Sequence, residues 1–265
     1  MSFRKVSKKY GPWAVVTGAS SGIGRALATE LAHAKLNLVL VGRDVTELDR
    51  LADQLSKACG VECRVLMYDL SDESSIEELK RSTDDLDVGL LIASAGFGTS
   101  GAFLENPIEP ELEMLNVNCR ALMALSWHFG RRFAQRGSGA LVLLGSIVGF
   151  QGTPWAAHYS ATKAYVQVFA EGLGRELKPQ GVDVLSVAPG PTKTGFAARA
   201  NMKNGKSMDP SKIAPEILNA LGRKSTVLPG VLSKLLVYSM VPLPRWARIS
   251  IMGNVMRGMA SKSDR

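Results

Sequence analysis

The chain has 265 residues, of which 46% are hydrophobic and 21% charged, with 26 glycines and a formal net charge of +8. That length supports one large buried core, and that composition is typical of a globular protein and excludes a disordered or membrane-spanning one. The three cysteines, Cys59, Cys63 and Cys119, have no His or second Cys pair at metal-ligand spacing, so they read as free thiols in a reducing compartment, with no metal site.

In chain order, residues 1–10 carry Arg4, Lys5, Lys8 and Lys9 but no apolar run that could serve as a signal-peptide core, which points to a cytoplasmic protein. Short Val/Leu-rich runs then alternate with longer amphipathic segments. This alternation predicts a single α/β domain: a doubly wound, Rossmann-type parallel sheet of seven strands at residues 13–17, 37–42, 62–68, 88–94, 140–145, 182–188 and 226–228. Runs such as Leu38-Val39-Leu40-Val41 and Leu141-Val142-Leu143-Leu144 lack polar alternation, so both faces of the sheet are expected to lie under helices.

Helix starts are legible between the strands. Asp44 with Glu47 forms a capping box before Leu48, Leu51 and Leu55, and Ser71 or Asp72 caps the helix that carries Ile76 and Leu79. Pro107 or Pro110 opens the next helix, and residues 114–133 continue it or form a second one. The core is expected over about 11–230, followed by a helical extension over about 231–260 that Pro242 and Pro244 divide into two short helices. Its charge-free run, residues 235–243, falls well short of the ~20 residues that span a bilayer. From Arg223 onward there are eight Lys or Arg and one acid, Asp264, yet no interleaved aromatics, which argues against nucleic-acid binding.

Four local patterns carry chemistry. The first strand ends in Thr17-Gly18-Ala19-Ser20-Ser21-Gly22-Ile23-Gly24 and a helix follows at once. Glycines there let main-chain N–H groups and the helix dipole approach a pyrophosphate, although a lone glycine cluster also makes ordinary turns. The second strand ends Val41-Gly42-Arg43, placing a basic residue where a 2'-phosphate would be read and no acid where a 2'-hydroxyl would be. Ser20 can add a hydroxyl to that phosphate, Asp44 having a separate role as a cap; NADP(H) is therefore preferred to NAD(H). On a helix Tyr159 and Lys163 share a face. An ammonium ~5 Å from a phenolate at an effective dielectric of ~20 favours ionisation by roughly 3 kcal/mol, or about two pKa units, which would bring the phenol toward neutral. The fourth pattern is the segment 191–209, whose Gly195, Gly205 and polar residues read as a mobile loop that closes over a substrate.

Taken together, T-G-x-x-x-G-x-G at Thr17, Asp69 after the third strand, Asn118 in Leu115-Asn116-Val117-Asn118, Ser146 after the fifth strand, Tyr159-x-x-x-Lys163 and Pro189-Gly190 with Thr192 and Thr194 resemble the short-chain dehydrogenase/reductase family, in order and over about residues 13–230. The resemblance implies catalytic roles for Asn118, Ser146, Tyr159 and Lys163. Tyr159 would exchange the proton, Ser146 hold the substrate oxygen, Lys163 also bind the nicotinamide ribose, and Asn118 position a water leading to Lys163. It further implies cofactor contacts at Gly18, Ser20, Ser21, Gly22, Ile23, Gly24 and Arg43, at Asp69, Leu70 and Ala95, and at Pro189, Gly190, Thr192 and Thr194. The family's Asn-Asn-Ala-Gly stands here as Ala93-Ser94-Ala95-Gly96, a change that bears on bracing of the central sheet.

The expected activity is hydride transfer between NADP(H) and a carbonyl or secondary alcohol of a hydrophobic small molecule, in a homodimer or homotetramer built on the helices that carry Asn118 and Tyr159. Phe97, Phe150, Trp155 and Phe196 lie in segments that border the family's active site, which implies a mostly apolar pocket, and the tail, residues 231–259, is expected to fold onto its own chain or a partner subunit and help wall that pocket. Two alternatives stand beside it: a non-catalytic NADP-sensing protein, and a peripheral membrane or partner-binding module that uses the basic tail. Asn118 as a simple helix cap and Tyr159 as a core aromatic are the structural alternatives. Tyr165 is assigned to packing, and His128 and His158, lacking a nucleophile or metal partner, to surface or satisfied-core positions.

Overall fold

In the computed structural model, which describes residues 3–200 and 207–259, seven parallel strands form one sheet in the order β3-β2-β1-β4-β5-β6-β7. The strands are β1 (Trp13–Thr17), β2 (Asn37–Gly42), β3 (Cys63–Met67), β4 (Val88–Ala93), β5 (Gly139–Leu144), β6 (Val182–Val187) and β7 (Thr226–Val227). Each lies within about a residue of its expected position at either end.

Burial explains why the central strands read as uninterrupted hydrophobic runs. Alternate side chains enter two separate cores: Ala14, Val16, Leu38, Leu40, Leu90 and Ile92 on one face, Val15, Val39, Val41, Leu91, Leu141 and Leu143 on the other. The first face is covered by α2 (Gly22–His33), α3 (Val45–Cys59) and α9 (Pro210–Ala220). The second is covered by α4 (Glu73–Arg81), α6 (Leu122–Arg136) and α7 (Ala157–Leu177). Asp44 caps α3 by accepting the Glu47 N–H at 3.0 Å, and of the two candidates for α4 it is Asp72 that caps. Pro107 precedes α5 (Ile108–Leu115), with Pro110 in its first turn; α5 runs into α6 through a π-helical turn at Asn116–Ala121.

Three elements lie outside this frame. An N-terminal helix, α1 (Phe3–Tyr10), is fastened to the start of β6: Lys9 Nζ and Tyr10 OH both donate to Asp183 Oδ2, at 2.5 and 2.6 Å. Tyr10 is fully buried, and burial, with Asp183 adding to it, pushes its phenol well above the ordinary range. The segment after β6 is pinched by a bridge between Thr192 and Met208 and contains the short helix α8 (Phe196–Arg199); residues 201–206 of the expected closing loop lie outside the described residues. The tail forms α10 (Val231–Tyr238) and α11 (Arg245–Met259). Arg248 closes the turn between them, donating to the carbonyls of Leu243 and Val241 at 2.8 and 2.7 Å. Among the described residues no helix is long and apolar enough to cross a membrane.

Asp183→Ala should leave the buried Tyr10 hydroxyl without its acceptor, at a cost of about 1 to 3 kcal/mol. Urea denaturation checks this, and an unchanged midpoint would mean that the hydrogen bonds to Asp183 contribute nothing to stability.

Candidate active site

The strand order reverses between β1 and β4, which sends their following helices to opposite faces and opens a crevice at the carboxyl ends of the strands. The backbones on its floor are in contact. Gly18 takes φ +66°, and a Cβ there would lie 2.9 Å from the backbone N of Ala95. Thr17 Oγ1 fastens the two strand ends by accepting the N–H groups of Ser94 and Ala95, both at 3.0 Å. Thr17 thus braces the two strands at the point where Ser94 departs from the Asn of the family pattern. Gly24 packs behind the loop, where a Cβ would strike the Gly18 carbonyl oxygen at 2.4 Å; it shapes the site without lining it. Ser21 makes no side-chain cap at the start of α2, so the first N–H groups of that helix remain available to an anion.

From this floor extends one cavity of about 880 Å³. One end is formed by Gly18, Ser20, Ser21, Gly22, Ile23, Arg43, Asp69 and Leu70; the middle by Ala95, Ser146, Tyr159, Lys163, Pro189, Gly190, Thr192 and Thr194. The far end is apolar. Phe97 and Phe196 are there, as expected, but Phe150 and Trp155 do not line it. Trp155 packs outside under the Arg257 guanidinium, 5.5 Å from its ring centroid. The tail helps to wall the cavity, as expected, through Leu236, Met240, Ile251, Met252, Val255, Met256 and Met259.

Tyr159 and Lys163 lie one turn apart on α7, both buried. Burial pushes the Tyr159 phenol up to about 12, with a hydrogen bond to the Ser146 hydroxyl pulling the other way. Burial brings the Lys163 ammonium down to about 8, weakly opposed by Cys119. This reverses the expected lowering of Tyr159. The ammonium sits 5.8 Å from the phenol ring centroid and donates to the Leu144 carbonyl at 2.9 Å, so desolvation outweighs the attraction between them.

Asn118 lies in the π-helical turn, not at a helix end, which removes the helix-cap alternative. Its buried amide accepts the Phe97 N–H (3.2 Å) and donates to the Phe97 carbonyl (2.9 Å) and to Thr162 Oγ1 (3.0 Å). The side chain pins the Phe97 loop against α7, and its Oδ1 keeps a second lone pair beyond the Phe97 N–H. Local insertion of a π turn is what tilts this residue into the seam between the two elements.

Arg43 borders the cavity but is not isolated: it pairs with Asp69 at 3.5 Å and with Glu113 of α5 at 3.2 Å. Arg25, directly after Gly24, lines the same end, held by Glu47 at 2.7 Å. Neither Glu113 nor Arg25 was expected at the site; only the position of Arg25 next to the glycine loop could have suggested it. His158 proves to have a partner, its Nδ1 lying 2.6 Å from the buried carboxylate of Glu111, outside the cavity. His128 is partly buried and its Nε2 has no hydrogen-bond partner among the described residues. Among those residues no cluster of His, Cys, Asp or Glu is placed to hold a metal ion.

The Lys163 shift makes a pH-dependent prediction. The native protein releases this proton near pH 8, whereas the unfolded chain holds it to the ordinary Lys value of 10.5, so between these limits the unfolded state binds more protons and stability rises with pH. Tyr159 acts oppositely, but its contribution is intact until the pH passes the ordinary phenol value of 10.0. From about pH 7.5 to about 10 the wild type should gain on the order of 2 kcal/mol relative to Lys163→Met, measured by denaturant titration. Parallel curves for the two proteins would mean that Lys163 is not desolvated.

A family model described as "short chain dehydrogenase" matches residues 12–205. The chain is 34% identical over 238 residues to the 7beta-hydroxysteroid dehydrogenase of Clostridium sardiniense, covering 88% of this chain and 90% of that protein. Among solved structures, one described by work on 7beta-hydroxysteroid dehydrogenase stereoselectivity superposes with a TM-score of 0.86 at 28% identity, covering 93% of this chain and 98% of the other. A short-chain dehydrogenase from Sphingobium yanoikuyae in complex with NADPH superposes with a TM-score of 0.78 at 32% identity, covering 94% of each chain. With the crevice, the glycine loop and the buried Tyr159–Lys163 pair already in place, these similarities lead to one conclusion: the chain belongs to the short-chain dehydrogenase/reductase family and is an oxidoreductase.

Proposed function

We propose that the protein uses NADP(H) to interconvert a carbonyl and a secondary alcohol on a bulky apolar molecule, with Tyr159 as the proton-transferring group. The observation that carries this reading is the position of Ser146, Tyr159 and Lys163 midway along one cavity, between a glycine-lined end and a methionine-rich end. The first end fits a dinucleotide. Its floor at Gly18 has no room for a Cβ, and the N-terminus of α2 is open to a pyrophosphate. Asp69 and Leu70 suit the adenine side, and Ala95, Pro189, Gly190, Thr192 and Thr194 the nicotinamide side. When bound, the nicotinamide supplies or accepts the hydride.

The chain's own residues manage the proton. A phenol held near 12 is fully protonated at neutral pH, and so serves as the acid in the reductive direction. Tyr159 donates to the substrate oxygen as negative charge develops there, since an alkoxide is a stronger base than a phenolate. Ser146 hydrogen-bonds the same oxygen. Lys163, still mostly charged at pH 7, stabilises the phenolate left behind and reaches the ribose. Asn118 is a positioning residue, tying Phe97 to Thr162 one residue before Lys163. An intact acid of this kind distinguishes an enzyme from a non-catalytic NADP sensor, which would need only the dinucleotide end.

Arg43 beside Gly42, with Ser20 opposite, supports the phosphorylated cofactor, as does the NADPH in the Sphingobium yanoikuyae relative. The apolar end and the hydroxysteroid dehydrogenase relatives support a rigid, polycyclic or similarly bulky substrate. Exposed Ile108, Leu112 and Leu115 on α5, Trp127 on α6 and Val168 on α7 support a homodimer or homotetramer built on these helices. The unpaired cysteines support a cytoplasmic setting.

A panel of ketosteroids, long-chain 3-oxoacyl thioesters and small ketones, followed by NADPH consumption, tests the reading; bulky apolar ketones should be preferred. Tyr159→Phe should lose about 10²-fold or more in kcat with cofactor affinity nearly unchanged, and retention of a tenth of the activity would sink the assignment. Arg43→Ala should weaken NADPH binding by about 1.5 to 3 kcal/mol, ten- to a hundredfold or more, and leave NADH binding nearly untouched. Fluorescence titration with each cofactor measures this; equal losses would show that Arg43 does not read the 2'-phosphate.

A further inference from the structure

The tail helices have two apolar faces, and the cavity uses only one. Leu236 and Met240, with Met252 and Met256 of α11, turn inward to the cavity. Outward stand Val231, Leu235 and Tyr238, spaced by four and three along α10, then Val241 in the turn and Trp246 at the start of α11. Val231 is 80% and Trp246 74% exposed, and the five side chains form a crest that nothing among the described residues covers. Ile251 and Val255 line the cavity and are also exposed, so they form part of its rim on the same pair of helices.

Charge selects the occupant of this crest. Residues 231–259 contain Lys234, Arg245, Arg248 and Arg257 and no acid. Lys234 is paired with Glu216, but Arg245 has no ion pair among the described residues, and Arg248 contacts only main-chain carbonyls. A second copy meeting this face about a two-fold axis would set the same uncompensated cations against each other. A surface that is apolar inside and anionic outside has no such conflict. Tyr and Trp beside Lys and Arg are the residues that settle at the boundary between lipid chains and headgroups. Eight and fifteen residues are too short to span a bilayer, but suit helices lying in its plane.

We propose that α10 and α11 dock the protein peripherally on an anionic lipid surface, with the Leu235–Tyr238–Trp246 crest in the headgroup region and the cavity rim turned toward the membrane. The docking does not depend on which molecule is reduced, and it is read without substrate, so its failure and the failure of the reductase reading are separate results.

The test is co-sedimentation of the full chain with vesicles of phosphatidylcholine alone and of phosphatidylcholine with phosphatidylglycerol, at low and high salt. The expected result is binding to the anionic vesicles that weakens as salt rises. Leu235→Glu with Trp246→Glu should reduce that binding about tenfold or more while leaving the thermal transition and NADPH binding of the wild type, because both side chains stand in solvent. Arg245→Glu should reduce it less, and only at low salt. Wild-type protein that stays in the supernatant with both vesicle types would overturn the proposal. So would equal binding by the double variant, or light scattering showing that the double substitution breaks an oligomer, which would assign the crest to a second copy.

Discussion

The structure depends on how closely the ends of β1 and β4 meet. These strands are neighbours in space, yet their following helices leave for opposite faces, so the sheet parts above them. The parting is useful only if its floor is bare backbone, and Gly18 against Ala95 provides that. A backbone this close must also satisfy its polar groups, and the Thr17 hydroxyl takes two of the exposed N–H groups. The cavity, the open helix terminus and the line of contacts on either side all follow from this junction.

Above it, burial governs the chemistry. Desolvation moves Tyr159 and Lys163 in opposite directions, each toward its neutral form. The shift suits each group. A protonated phenol is the form that donates, and a lysine poised near 8 can respond to negative charge arriving beside it. The Leu144 carbonyl limits the cost of the buried ammonium and fixes its position, since a charge with one strong acceptor in an apolar wall has little reason to move. A pairwise Coulomb treatment of two residues on one helix captures the attraction and misses the larger desolvation.

What could be read from the chain was what is local or periodic. Two-sided burial leaves uninterrupted hydrophobic runs, so all seven strands were legible, and glycines, caps and the Tyr159–Lys163 spacing are signals within a few residues of one another. Of the expected cofactor-contacting and catalytic residues, all but Gly24 and Asn118 face the cavity. What escaped is long-range. Nothing in the sequence around Asn118 announces that its amide will bond to Phe97 and Thr162, or that Glu111 will meet His158. The latch from α1 to Asp183 crosses 173 residues, and Phe150 and Trp155, although in segments that border the family's active site, do not line the cavity.

The two ends of the cavity are built on different physical terms. The end at the glycine loop is main chain and short side chains held by strand ends, with few rotamers to choose from, which suits the constant shape of the dinucleotide proposed there. The opposite end is walled by Met240 in the turn after α10 and by Met252, Met256 and Met259 of α11, unbranched side chains that repack at little cost. Changes in α10 and α11 can therefore alter what the cavity accepts without disturbing the junction of β1 and β4. Since those helices also carry the exposed crest, the shape of the apolar end and the surface that meets its surroundings are properties of the same 29 residues, from Val231 to Met259.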